Sequence, residues 1–354
     1  MTRVASGFVA ALVAVTALLV LLALATAVRK AMRESRDRRH ARVEAAVRPA
    51  LLSYLAEDEP DPHELDEVVQ GRAAGRSLQE LAAGLLTKLR GEDRRVLERL
   101  LDAQGVLDQA RRRTRRPGPV GRARAADLLG AAGYEAALPE LTRLLRDRDP
   151  DVRAAAARAL GKLAVPSAVP ALLGSLDARR AVPAGVVTMA ILHIGPEAAA
   201  PLADGLSLDH SGTARAISAE LLGRLGGFQA AGRLIEALGS DPEERVRAAA
   251  ARALGRVGVP RSVPPLEAAL MQDASASVKQ AAAWALGELG GTRGFAGLTA
   301  ALRSPDHAVA RRAADALVSC GPLGVALLQR AAATDEPGSP EARETLGRLE
   351  PAAA

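Results

Sequence analysis

Apolar and small residues recur along most of this chain at the three- and four-residue spacing of an amphipathic helix, and strand signals are absent. The pattern also repeats on a longer scale. The ten residues VRAAAARALG occupy Val152–Gly161 and return unchanged at Val246–Gly255. Anchoring on the glycine of each ALG string places equivalent positions at Gly130, Gly161, Leu192, Gly223, Gly255, Gly287 and Val318, in steps of 31 or 32 residues, and LGRL at Leu346–Leu349 fits as a worn final copy. Each unit reads as two helices with a turn between them. Pro170, Pro201 and Pro264 stand near the start of first helices, where a missing N–H costs nothing. Gly133, Gly195, Gly226, Gly258, Gly290 and Gly321 follow second helices, where a left-handed cap favours glycine. Alanine dominates the second helices and aromatic residues are only 2% of the chain, so backbones are expected to approach closely over small side chains. One pair alone cannot bury enough surface, whereas stacked neighbours share a continuous core.

The recurring D…VR.AAA.ALG.LG pattern resembles the HEAT repeat family, and the short period is most similar to its phycobilin-lyase type. The resemblance implies an all-α fold, an α-solenoid of about seven helix pairs spanning 122–350. It is nearly silent on activity, because the family includes scaffolds, chromophore lyases, an iron hydroxylase and DNA glycosylases.

Residues 7–28 carry no charge over 22 positions, enough for a helix to cross a hydrocarbon core. Residues 1–28 are therefore expected to form an N-terminal transmembrane anchor, and 29–50 a basic juxtamembrane segment in which Arg29, Lys30, Arg33, Arg36, Arg38 and Arg39 meet anionic lipid. Only Arg3 precedes the span, so the positive-inside rule puts the N-terminus outside and the array in the cytoplasm. Ala25-Thr26-Ala27 also satisfies a signal-peptidase pattern, but the long apolar run and the basic cluster behind it oppose cleavage. The single cysteine, Cys320, excludes an internal disulfide. Abundant arginine and alanine fit a GC-rich bacterial genome.

The formal charge of +6 is unevenly distributed: 23 basic and 16 acidic residues lie up to Ala126, against 24 and 25 beyond it. A neutral array argues against nucleic acid as the partner. The second basic cluster, Arg111, Arg112, Arg113, Arg115, Arg116, Arg122 and Arg124, overlaps Pro117-Gly118-Pro119. Residues 111–121 thus read as a basic Pro/Gly linker, with a lipid contact, an acidic docking strip and nucleic-acid binding as the alternatives. Residues 51–110 read as a helical stalk or as degenerate capping repeats, with Asp61-Pro62 as a cap and first turn and Ser77 with Glu80 as a capping box.

Stacking turns equivalent positions into columns. Eight residues before the anchor lie Arg122, Arg153, Arg215, Arg247 and Lys279; fourteen before it lie Asp147, Asp209, Asp241 and Asp273. The resemblance implies an Asp–Arg ladder between neighbouring units. Two other columns vary while the frame stays fixed. Three before the anchor come Asp127, Arg158, Met189, Glu220, Arg252, Trp284 and Asp315, and one after it come Lys162, His193, Arg224, Arg256, Glu288 and Ser319. Four residues apart on a helix, the two columns share a face, which by the HEAT resemblance lines the concave groove. Trp284, the one tryptophan, is expected there either as a hot spot beside Arg252 and Arg256 or as a gap filler.

Catalytic signatures are missing: the five histidines are scattered, and HExxH, P-loop and GxSxG motifs do not occur. No metal or other cofactor is expected. The sequence thus points to a membrane-anchored cytosolic scaffold holding a protein partner in the groove, with an enzyme or accessory lyase acting on a membrane-associated small molecule as the alternative.

Overall fold

A computed structural model of the chain describes residues 92–349 continuously, the segments 45–57 and 72–86, and the single positions Leu24, Thr26, Arg29, Lys30, Asp61, Leu65 and Lys88. The expected membrane span at 7–28 lies almost wholly outside the described residues, as do Arg33, Arg36, Arg38 and Arg39. Among the described residues no single helix is long and apolar enough to cross a membrane, so the transmembrane part of the expected fold has no support there.

The chain divides into two units, Met1–Asp108 and Gln109–Ala354. In the first, α1 (45–55) buries Val47, Leu51 and Tyr54, α2 (Arg72–Leu86) buries Ala74, Leu78, Ala82 and Leu86, and α3 (Glu92–Ala103) buries Val96, Leu97, Leu100 and Leu101. Each helix hides one stripe spaced by three or four residues. The expected capping box fails: Ser77 lies in the middle of α2 and is buried, because the apolar register that includes Leu78 and Ala82 starts upstream of it.

Helix α4 (Val106–Arg113) crosses into the second unit and is followed by α5 (Pro119–Ala132). Residues 111–121 are therefore helical at both ends, and only the short turn between these helices separates them. Seven helix pairs follow: α6 (Leu138–Leu144) with α7 (Pro150–Leu163), α8 (Val169–Gly174) with α9 (Ala184–Ile194), α10 (Ala199–Asp204) with α11 (Gly212–Leu225), α12 (Ala231–Ser240) with α13 (Glu244–Val257), α14 (Val263–Gln272) with α15 (Ala276–Leu289), α16 (Phe295–Ala301) with α17 (His307–Ser319), and α18 (Pro322–Ala332) with α19 (Ser339–Gly347). Every regular element among the described residues is helical.

The anchor glycines set the spacing. A Cβ on Gly130 would come within 2.4 Å of the Ala159 Cα, and on Gly161, Gly223 and Gly255 within 2.7 Å of the Cα of Ala190, Ala253 and Ala285. Each glycine of one second helix thus faces an alanine two residues before the anchor of the next, and the backbones touch with almost nothing between them. Adjacent second helices pack far more extensively than adjacent first helices. The closest packing is thus concentrated along the row of second helices. The exception is the step from α9 to α11, where Leu192 replaces the glycine and Leu221 stands where the alanine would be; these two helices pack loosely.

Arginine–aspartate rungs join successive units along one edge. The Arg122 guanidinium grips Asp147 with two hydrogen bonds of 2.8 Å, Arg215 grips Asp241 at 2.7 and 2.9 Å, and Arg247 grips Asp273 at 2.7 and 3.0 Å. The same aspartates accept the amide hydrogens of Asp149, Glu243 and Ser275, so each rung also fixes the turn that leads into a second helix. Arg215 and Asp241 are nearly sealed, with side chains 5% and 2% exposed. The ladder is incomplete. Arg153 donates only to the carbonyls of Asp147 and Arg148, since Ala178 occupies the place of its acid, and its Nε is buried without a partner. Asp209 has Ala184 where an arginine would be, and Lys279 has Ser304 where an aspartate would be.

Glycine after the second helix provides positive φ at five caps, but Ala164 takes that place after α7 with φ 56°, the sole non-glycine residue with positive φ among the described residues. Gly321 lies two residues past the end of α17 and takes the N-cap position of α18 instead. At the C-terminal end the exposed His307 ring pairs through Nδ1 with Glu341 at 2.6 Å. The hydrogen bond to Glu341 raises the His307 pKa above its ordinary value and lowers that of Glu341, although burial of the carboxyl works the other way.

Three outcomes follow from these contacts. Ala164→Gly should stabilise the array by about 1 kcal/mol in denaturant unfolding, because an L side chain in the left-handed region costs about that much. Arg215→Met should cost about 3 kcal/mol by stranding the Asp241 charge. Adding Asp241→Ala to Arg215→Met should recover part of that loss, and strictly additive single-variant costs would refute the rung as a coupled unit. For His307 the stabilising charge pair is complete below the imidazole's unfolded pKa and fades as pH rises through the higher folded value, whereas on the acid side it persists until pH falls through the lowered Glu341 pKa. His307→Gln should flatten the alkaline limb of Tm against pH and leave the acid limb governed by the remaining carboxylates.

Candidate functional site

The two variable columns share one exposed face of the second helices, whose other faces are locked by alanine and leucine. Arg158, Lys162, Met189, His193, Glu220, Arg224, Arg252, Arg256 and Glu288 are exposed, while Trp284 and Asp315 are half-buried. The spacing of four along each helix, multiplied by the repeat, makes one continuous stripe.

Its centre is formed by α11, α13 and α15. The Arg256 guanidinium carbon sits 5.6 Å from the centroid of the Trp284 ring, within range of a cation–π interaction. Arg252 lies one turn away on the same helix; burial lowers its pKa, Glu220 pulls it up and Arg256 pushes it down. Glu220 in turn lies 3.8 Å from Arg224. Trp284 is thus half-buried, with the Arg256 guanidinium over its ring.

The flanks are quieter. Arg158 lies 3.9 Å from Asp127 across the α5–α7 step, an exposed pair of small energetic weight. Met189 is 55% exposed. The Nδ1–H of His193 donates to the Met189 carbonyl at 2.8 Å, so its ring is held along its own helix. Asp315 receives a hydrogen bond of 3.0 Å from Arg348 beyond α19, and Ser319 is turned back onto the Asp315 carbonyl. Two members of the stripe were missed by reading only two columns. Gln280 and Arg311 lie four residues before Trp284 and Asp315, on the same face, and the same four-residue step extended toward the N-terminus would have found them.

Other predicted positions fall apart from the stripe. Arg29 and Lys30 are exposed helical positions of the first unit. Arg111 is committed to Glu140, at 3.0 and 3.3 Å, and Arg122 to the ladder, so two arginines of the basic run serve the fold. Burial raises the Cys320 thiol pKa, which leaves the group protonated and weakly nucleophilic. Among the described residues no three histidine, cysteine or carboxylate side chains converge as a metal site.

Comparison with known proteins agrees with the architecture. The sequence profile of the HEAT repeats matches residues 103–192, 199–286, 233–318 and 264–347. No curated protein matches the chain in sequence. Among solved structures, human deoxyhypusine hydroxylase in complex with glycerol is similar at 21% identity, covering 78% of this chain and 96% of that one with a TM-score of 0.32. An engineered protein is similar at 17% identity, covering 82% and 99%, with a TM-score of 0.31. Neither likeness is strong enough to carry an activity across. The profile matches extend over more than half of the sequence, and this chain belongs to the HEAT repeat family.

Proposed function

We propose that the array is a scaffold that binds a partner protein through its inner stripe, and that residues 1–28 tether it to the cytoplasmic face of a bilayer. The observation that carries the reading is the contrast within each second helix. The packed faces repeat nearly unchanged, while the groove face changes from unit to unit among Arg, Met, Glu, Trp and Asp. Packing alone gives no reason for that variety, and a partner with a defined surface does. The exposed guanidinium groups beside Trp284 supply the residue types most enriched at interaction hot spots.

The anchor rests on the uncharged run at 7–28 and the basic residues behind it. In this reading the tether raises the effective concentration of array and partner at the membrane, and the rigid stack fixes geometry, so binding needs no catalytic step.

Trp284→Ala combined with Arg252→Ala should cut recovery of cross-linked partner from solubilised membranes at least tenfold while moving Tm by no more than a few degrees. Undiminished recovery would reject the groove, and extraction of the full chain by alkaline carbonate would reject the anchor.

A further inference from the structure

A concave feature lies on the ladder edge, where Arg122 meets Asp147. The turn that follows α4, the first turn of α5 and the end of α6 enclose an open cleft of about 860 Å³. Arg115, Arg116, Arg122, Arg143, Arg146 and Arg148 line it, against one carboxylate, that of Asp147. That carboxylate is already taken: both of its oxygens receive hydrogen bonds from Arg122, and one also accepts the Asp149 amide. Arg143 is braced by its bonds to the carbonyl and hydroxyl of Thr114, and the Thr114 hydroxyl donates to the Arg111 carbonyl. Arg115 stands 3.8 Å from Glu140, whose bonds go to Arg111, and is 71% exposed. Arg116, Arg146 and Arg148 are exposed.

We infer that this cleft binds a ligand carrying clustered phosphate groups. Guanidinium forks match phosphate oxygens two at a time, which an ammonium cannot do, and every basic residue here is arginine. Concave walls concentrate the field of like charges that would otherwise repel one another into solvent. The volume exceeds what one inorganic phosphate fills and lies in the range of small-molecule sites. Three of the six arginines come from the run at 111–124 and three from residues about thirty positions later, so stacking brings together two clusters that are separate in sequence. The cleft would hold the ligand by charge and shape, with Thr114 and Arg143 fixing its floor.

The test is isothermal titration of the full detergent-solubilised chain at about 0.15 M salt with tripolyphosphate, with short-chain dibutyryl phosphatidic acid, with citrate and with a single-stranded oligonucleotide. Saturable binding of either phosphate compound, preferred over citrate and weakened at least tenfold in an Arg116→Gln, Arg146→Gln, Arg148→Gln variant of unchanged Tm, is the expected result. Tighter binding of tripolyphosphate assigns a soluble ligand, and tighter binding of dibutyryl phosphatidic acid a lipid headgroup. The inference is overturned by absence of binding, by equal binding of citrate, by stronger binding of the oligonucleotide, or by a variant that binds as well as the parent chain. None of these readouts depends on the groove or its partner.

Discussion

Backbone contact between neighbouring second helices is the constraint on which the array depends. At Gly130, Gly161, Gly223 and Gly255 there is no room for even a methyl group, because the next helix presents its alanine Cα where the Cβ would be. Dispersion forces fall off so steeply that this closeness matters more than the size of the side chains involved. It is confined to the second helices, since the first helices of neighbouring units pack against one another far less.

The rungs add direction to a contact that has none of its own. Alanine surfaces slide, whereas a guanidinium gripping both oxygens of Asp241 or Asp273 fixes the register of one unit on the next. Burying such charges is costly, and their value lies as much in specifying one arrangement as in stabilising it. Where glycine and alanine are lost, at Leu192 and Leu221, the flanking rungs are lost as well, at Ala178 and Ala184. Two independent devices fail at the same place. The step from α9 to α11 is accordingly the most loosely packed between second helices, and the HEAT profile matches break beside it, between 192 and 199.

That frame frees one face of each second helix from structural duty. Because packing is settled elsewhere, the groove positions can hold arginine, tryptophan or glutamate without cost to the fold, which is the physical reason a repeat array suits recognition. The polar edge has a similar freedom: Arg122 serves the ladder, while its neighbours Arg116, Arg146 and Arg148 do not. Side chains projecting from the stack are thereby separated from the interactions that keep it folded.

The sequence by itself determined the helical period, the repeat length, the close-packed anchor and the exposed stripe, because these depend on spacing along one helix multiplied by a constant step. It did not reveal Gln280 and Arg311, which needed the same face followed one turn further, and it placed a cap at Ser77 where the helix had already begun. The two charge columns also announced the ladder and its gaps: Arg247 holds Asp273, whereas Arg153 has Ala178 in the column where its acid would stand. The meeting of Arg116 with Arg146 and Arg148 around one cleft, and the seating of the Arg256 guanidinium over the Trp284 ring, were decided only by tertiary structure, because stacking, not sequence separation, sets the distance between units.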